Sequence, residues 1–246
     1  MWVMWATLWL LACSGEAPPA VLTEASREVT FGTMQELGTH TLQASWTRRV
    51  GPAEGGGQET AEAFLLRWQD PDHWELRRER QGRVQSHVII WDAIAWVSGP
   101  KGLKRRGDGE LYRVQLASGW DPWQLVLAGF NDQLGLVRVG EEMVDGRKAW
   151  RHDLVLKPPL PGRRAWTPTQ VEGAVWLDEA LAVRLGAEVH LVAVNEREAM
   201  DLRFRLSVSG VGADPGITPI TETEAASPGL PEEPAPGRDP GRRPNR

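Results

Sequence analysis

The sequence predicts a mainly β domain built as one strongly curled antiparallel sheet of about ten or eleven strands, with one short amphipathic helix packed on its concave face. Three observations lead there. Apolar and polar residues alternate in strict period two over several runs, turn signals recur at hairpin spacing, and one segment alone keeps a helical period. A lone apolar-striped helix among strands that each have one apolar face needs a concave surface to bury against, which a curled sheet supplies.

The clearest strand runs from Val183 through Leu185, Ala187, Val189 and Leu191 to Ala193, interleaved with Arg184, Gly186, Glu188 and His190. Leu202, Phe204, Leu206 and Val208 repeat the pattern against Arg203, Arg205, Ser207 and Ser209, so the two segments read as a hairpin. Leu42, Ala44 and Trp46 alternate in the same way, as do Trp74 and Leu76. Asp70-Pro71-Asp72, Gln81-Gly82 and Asp145-Gly146 separate neighbouring runs, and Asp-Gly favours the type I′ turn that matches strand twist. Further strands are expected near Glu28 to Phe31, Ile94 to Ser98, Leu111 to Leu116 and Ala174 to Leu177.

The helical segment begins at Asp121, a capping residue, with Pro122 suited to the first turn. Trp123, Val126, Leu127 and Phe130 then fall at i, i+3, i+4 and i+7, forming one apolar stripe. Gly129 costs about 1 kcal/mol relative to Ala in a helix, so the segment depends on tertiary packing.

Composition bounds the function. The chain has 246 residues, of which 41% are hydrophobic, enough for one sizeable core. A net charge of -5 gives no general basic field, so nucleic acid is a poor partner. Cys13 is the only cysteine, which removes intramolecular disulfides and thiolate metal clusters. No nucleophile elbow, zinc-binding helix motif, Walker loop or dinucleotide fingerprint is present, and the five histidines are dispersed without ligand spacing. Asp70, Asp72 and His73 fit a turn without a metal. No enzymatic activity and no cofactor or metal is expected.

Cys13 closes the run Leu10-Leu11-Ala12-Cys13 at the end of a Trp- and Leu-rich start. That run is too short for a membrane span, which takes roughly 20 apolar residues, and it reads as an export signal. It closely resembles the lipobox of bacterial lipoproteins, which implies acylation of Cys13. The expected division is a signal peptide over 1–12, a lipidated cysteine and flexible tether over 13–26, a β domain over 27–212, and a Pro-rich disordered tail over 213–246. Ser14 resembles the outer-membrane-permissive residue of enteric lipoproteins. The expected place is the bacterial envelope, facing the periplasm, with the outer membrane favoured over the inner.

The meandering strands up to Leu116, the helix after Asp121, the hairpin GEEMVDGRKAWRHDLVL and the late strands beginning VEGAVWLDEALAVRL resemble the outer-membrane lipoprotein carrier and receptor superfamily, the LolA/LolB-like group. That resemblance implies an unclosed β-barrel whose apolar cavity takes an acyl chain, a lipid or a lipoprotein. The candidate cavity lining is Trp123, Val126, Leu127 and Phe130 from the helix, with Leu185, Val189, Leu191 and Phe204 from the late strands. A continuous apolar void of about 300 Å³ or more beneath Trp123 and Phe130 would support carriage. Lys101, Lys104, Arg105 and Arg106, flanked by glycines, are expected on a loop at one rim of the sheet, where they would meet anionic lipid. The alternative is an interaction or sensor module with an envelope protein as partner, a filled core and no ligand.

Overall fold

The computed structural model describes residues 31–52, 56–99, 102–158, 165–218 and 220. Cys13, Lys101 and the tail beyond 220 lie outside the described residues.

Turn chemistry sets the pairing. Asp145 and Gly146 take φ of 48° and 75°, and Gln81 and Gly82 take 52° and 71°. Two successive positive φ values are the mark of a type I′ turn, whose twist suits the strands it joins. The eleven strands are β1 (His40–Gly51), β2 (Gln58–Asp70), β3 (His73–Arg80), β4 (Arg83–Trp91), β5 (Ile94–Gly99), β6 (Gly102–Asp108), β7 (Leu134–Val144), β8 (Arg147–Leu156), β9 (Thr167–Asp178), β10 (Arg184–Val194) and β11 (Ala199–Ser209). They form one antiparallel sheet in the order β6-β5-β4-β3-β2-β1-β11-β10-β9-β8-β7. Among the described residues no strand pairs with the outer edge of β6 or β7, so the sheet is not closed. The fold class expected from the sequence is therefore the one found.

Two meanders meet at a central seam. β1 pairs with β11 from Thr41 opposite Ser209 to Gly51 opposite Ala199, so residues about as far apart as the domain allows are hydrogen-bonded neighbours. Across the seam the inward side chains are His40, Leu42, Ala44 and Trp46 on β1, and Met200, Leu202, Phe204, Leu206 and Val208 on β11, all buried. They join one continuous core that gathers side chains from every strand except the edge strand β6.

Among the described residues three helices accompany the sheet: α1 (Phe31–Gln35), α2 (Glu110–Gly119) and α3 (Pro122–Leu127), the last continued by a 3-10 turn over Ala128–Phe130. Two expected strands are thus corrected. Phe31 begins α1, and its ring meets Trp68 edge-on at 5.3 Å. The Leu111 to Leu116 stretch lies in α2, because Tyr112, Leu116 and Trp120 share one helical face toward the core while Leu111 and Val114 stay exposed. Residues 28–30 lie outside the described residues.

The basic cluster is corrected as well. Lys104, Arg105 and Arg106 are exposed on the edge strand β6, paired with β5, and do not form a loop. Charged side chains on an edge strand oppose pairing with another chain. On the outer face behind β4 and β5, Ile89 and Trp96 make a second small apolar cluster, covered by Ile217. The chain past Gly212 therefore stays on the domain at least as far as Ile217, which is 7% exposed.

Candidate functional site

The link between the two edge strands builds the site. From the end of β6 the chain passes through α2 and α3 and re-enters the sheet at β7, packing both helices against the concave core. Asp121 starts α3: its Oδ1 accepts the Trp123 amide at 2.9 Å, and Pro122 occupies the first turn. Its Oδ2 accepts from the Arg184 guanidinium at 2.8 Å. Both side chains of this pair are only 7% exposed, and burial pulls the Arg184 pKa down despite the carboxylate. The guanidinium carbon lies 4.9 Å from the centre of the Trp123 ring. A charge pair and a cation–π contact thus fix the start of α3 to β10.

Further along, the stripe faces inward as its spacing requires. Trp123, Val126, Leu127 and Phe130 are all buried. Trp123 meets Phe204 edge-on at 6.0 Å and donates its indole N–H to Asn131 Oδ1 at 3.1 Å. Phe204 in turn lies 6.4 Å from Trp46.

Beside this packed centre a cavity of about 270 Å³ opens at the seam between α3 and the sheet. Val126, Gly129 and Phe130 form its helical wall, Met200 and Leu202 its floor, and Ala165 and Trp166 the side next to β9. Arg48 contributes the only charge in this lining. The volume falls just under the roughly 300 Å³ at which small-molecule sites begin.

The structure divides the expected lining. It brings Val126 and Phe130 to the cavity wall, whereas Trp123, Leu127, Leu185, Val189, Leu191 and Phe204 belong to the packed core around it. Arg48, Met200 and Leu202 were not foreseen. A signal for Arg48 existed: continuing the alternation Leu42, Ala44, Trp46 by two places puts a cation on the apolar face of β1.

A larger hollow of about 620 Å³ lies on the outer face of the central strands, edged by Ser45, Thr47, His190, Arg203 and Arg205. Its charges already satisfy one another. Arg205 pairs with Glu188 at 3.0 Å, and Asp201 pairs with His190 at 3.2 Å and Arg203 at 3.8 Å. Trp46, Ala61, Val189 and Phe204 also contribute to its lining, but the charges at its rim are paired with one another and the hollow stands open to solvent. Likewise Glu75, buried on the outer face, is shared by Arg67 and His87 at 2.8 and 2.9 Å; burial alone would raise its pKa, and these partners hold it low. Among the described residues no group of three or more His, Cys, Asp or Glu side chains could hold a metal ion. No helix of the described residues is long and apolar enough to cross a membrane.

No family model matches the chain, and no curated protein matches it. Solved structures do. The chain is similar to the crystal structure of MucB, at 16% identity over 79% of this chain and 61% of that one, with a TM-score of 0.28. The chain thus spans about three fifths of the length of that protein. It is also similar to the lipoprotein LppX of Mycobacterium tuberculosis, at 12% identity over 73% and 91% of the two chains, with a TM-score of 0.33. A LolA superfamily protein from Nitrosomonas europaea, the group the sequence resembles, is matched at 10% identity over 80% and 98%, with a TM-score of 0.23.

Proposed function

We propose that this chain is a bacterial envelope protein, anchored through an acylated Cys13, that buries an acyl chain of a lipid or lipoprotein non-covalently beneath α3. One observation carries this reading: the cavity of about 270 Å³ between α3 and the concave face, walled by Val126, Phe130, Met200, Leu202 and Trp166. The apolar part of this lining rewards a hydrocarbon occupant, at about 0.8 kcal/mol for each methylene taken from water. The protein's part is to bind, shield and release; no bond is made or broken. The lipobox-like start supports the anchor, and a tether over residues 13–26 would hold the β domain over 27–212 at a membrane surface facing the periplasm, with the outer membrane favoured by Ser14. The Pro-rich tail over 213–246 is left without a role in binding.

A second reading, docking of an envelope protein, rests on a different feature. Leu111, Val114 and Leu125 on α2 and α3 are 62%, 61% and 42% exposed, an unusual amount of apolar surface on one short link.

Native mass spectrometry and labelling separate these. Full-length protein recovered from bacterial membranes is expected to carry a co-purifying lipid in addition to its own anchor, and to incorporate palmitate unless Cys13→Ser is introduced. A protein that carries no lipid, takes up no fluorescent fatty acid and instead crosslinks to a partner through Leu111 or Val114 would replace acyl binding with docking.

A further inference from the structure

Arg48 is out of place where it stands. It occupies an inward position of β1, opposite Leu202 of β11 and Thr60 of β2, where its neighbours on the same face are Trp46 and Val50. Its side chain lines the cavity, yet its Nε is buried with no hydrogen-bond partner. A buried, unpaired donor on a charged group costs free energy that a structure ordinarily recovers by a partner.

Comparison with other arginines sharpens the point. Arg77 and Arg113 also leave Nε unpaired, but Arg77 pairs with Glu79 and Arg113 with Asp72 and Glu110 through their terminal nitrogens. No carboxylate of the described residues pairs with Arg48. Glu62, inward on β2 opposite Trp46, lies 3.9 Å from Arg80 instead. The buried Arg184 has its own carboxylate in Asp121. Among the described residues Arg48 alone joins three properties: a place in the lining of this cavity, a buried donor without an acceptor, and a charge without a carboxylate partner.

We propose that Arg48 is the headgroup receptor of the cavity, so that the ligand is an anionic single-chain amphiphile whose carboxylate or phosphate pairs with the guanidinium while its chain lies along Met200, Leu202 and Phe130. This rests on the acyl-binding reading above and adds the charge of the ligand's end. A planar guanidinium presents parallel N–H donors that match a carboxylate or phosphate, and the apolar surroundings strengthen such a pair relative to water. A neutral end, such as an alcohol or methyl ester, accepts a hydrogen bond from Arg48 but supplies no counter-charge, so the stronger charge-assisted pair is lost.

Photoaffinity labelling of the full chain in isolated bacterial membranes tests this. Diazirine-bearing probes of equal chain length, one a fatty acid and one the corresponding fatty alcohol, are compared by mass spectrometry of the peptides holding Phe130 and Leu202. The acid is expected to label these peptides about tenfold more than the alcohol, as a charge-assisted pair implies. Arg48→Gln is expected to abolish the preference while labelling by the alcohol persists, which also reports an intact cavity; Arg48→Lys should keep part of it. Displacement of the acid probe by unlabelled fatty acid or by a long-chain alkyl phosphate, but not by the alcohol, supports an anionic end and tells which is preferred. Equal labelling by acid and alcohol in the wild-type chain, or a preference unchanged in Arg48→Gln, overturns the headgroup role while leaving acyl binding in place. Labelling of these peptides by neither probe overturns both.

Discussion

Asp121 uses its two carboxylate oxygens on two different elements: Oδ1 caps α3 through the Trp123 amide, and Oδ2 takes the Arg184 guanidinium at the start of β10. One side chain therefore starts the helix and ties it to the sheet. Because both partners are buried, removing either leaves a charge without compensation, typically a loss of about 3–5 kcal/mol. Arg184→Ala and Asp121→Ala are each expected to lower the urea midpoint accordingly. The double variant should cost less than the sum, since the second removal relieves the stranded charge. Additive losses would show that the pair does not act as a unit.

Filling the cavity tests binding without touching a charge. Val126→Phe adds volume to the helical wall at the mouth of the space, with an overpacking cost of about 1–3 kcal/mol. Uptake of a fluorescent fatty acid is expected to fall at least severalfold while the circular dichroism spectrum stays that of a β protein. Unchanged uptake would move the ligand elsewhere on the molecule.

Gly173, in the middle of β9 opposite Val189, allows the close approach of β9 and β10. Its φ is 127°, and a Cβ placed there would sit 1.9 Å from the Glu188 carbonyl oxygen. Backbone oxygen cannot yield as a side chain can, so Gly173→Ala is expected to break the local ladder and destabilise by more than an ordinary surface change, which stays within about 0.5 kcal/mol. Faster amide exchange at Val189 and its neighbours would report the damage directly.

Two inward histidines set the acid limit. Burial lowers the pKa of His40, partly offset by its Nδ1–H donating to the Gly38 carbonyl at 2.8 Å, and burial with the nearby Arg138 lowers that of His152. A histidine whose folded pKa is depressed takes up a proton on unfolding, so its contribution is present above its ordinary value near 6.5 and is lost as pH falls below it. His73 works the other way. Although burial opposes it, Asp70 and Asp92 raise its pKa, so its contribution is present in acid and lost as pH rises above 6.5; both carboxylates are solvated, so it weighs less. The urea midpoint is expected to drop between pH 7 and pH 5, and to drop less in His40→Gln. A midpoint that rises over that interval would reverse the assignment.

The strands were legible where one face is wet and the other dry. The β10–β11 hairpin and the β7–β8 hairpin follow from alternation and from Asp145-Gly146 alone. Legibility failed where the signal is shared. Leu111, Val114 and Leu116 suit a strand as well as a helix, and only the Tyr112, Leu116 and Trp120 spacing identifies α2. Lys104, Arg105 and Arg106 hid β6, since an edge strand carries charges that otherwise mark a loop. At the cavity, core and lining have the same composition, so Val126 could not be told from Leu127 in advance; which of two adjacent apolar residues meets a void is decided by packing from the opposite wall.

The order of the strands has a mechanical consequence. The α2–α3 link strides from one edge of the sheet to the other; between backbone bonds at its two ends, Gly109 N–H to the Ala93 carbonyl and Lys157 N–H to the Gln133 carbonyl, its hold on the sheet is made of side chains, Arg184 among them. Swinging it outward would expose apolar surface but would sever none of the inter-strand hydrogen bonds. Entry of a guest and integrity of the sheet can then be tuned separately, the first at Arg184, the second at the central seam.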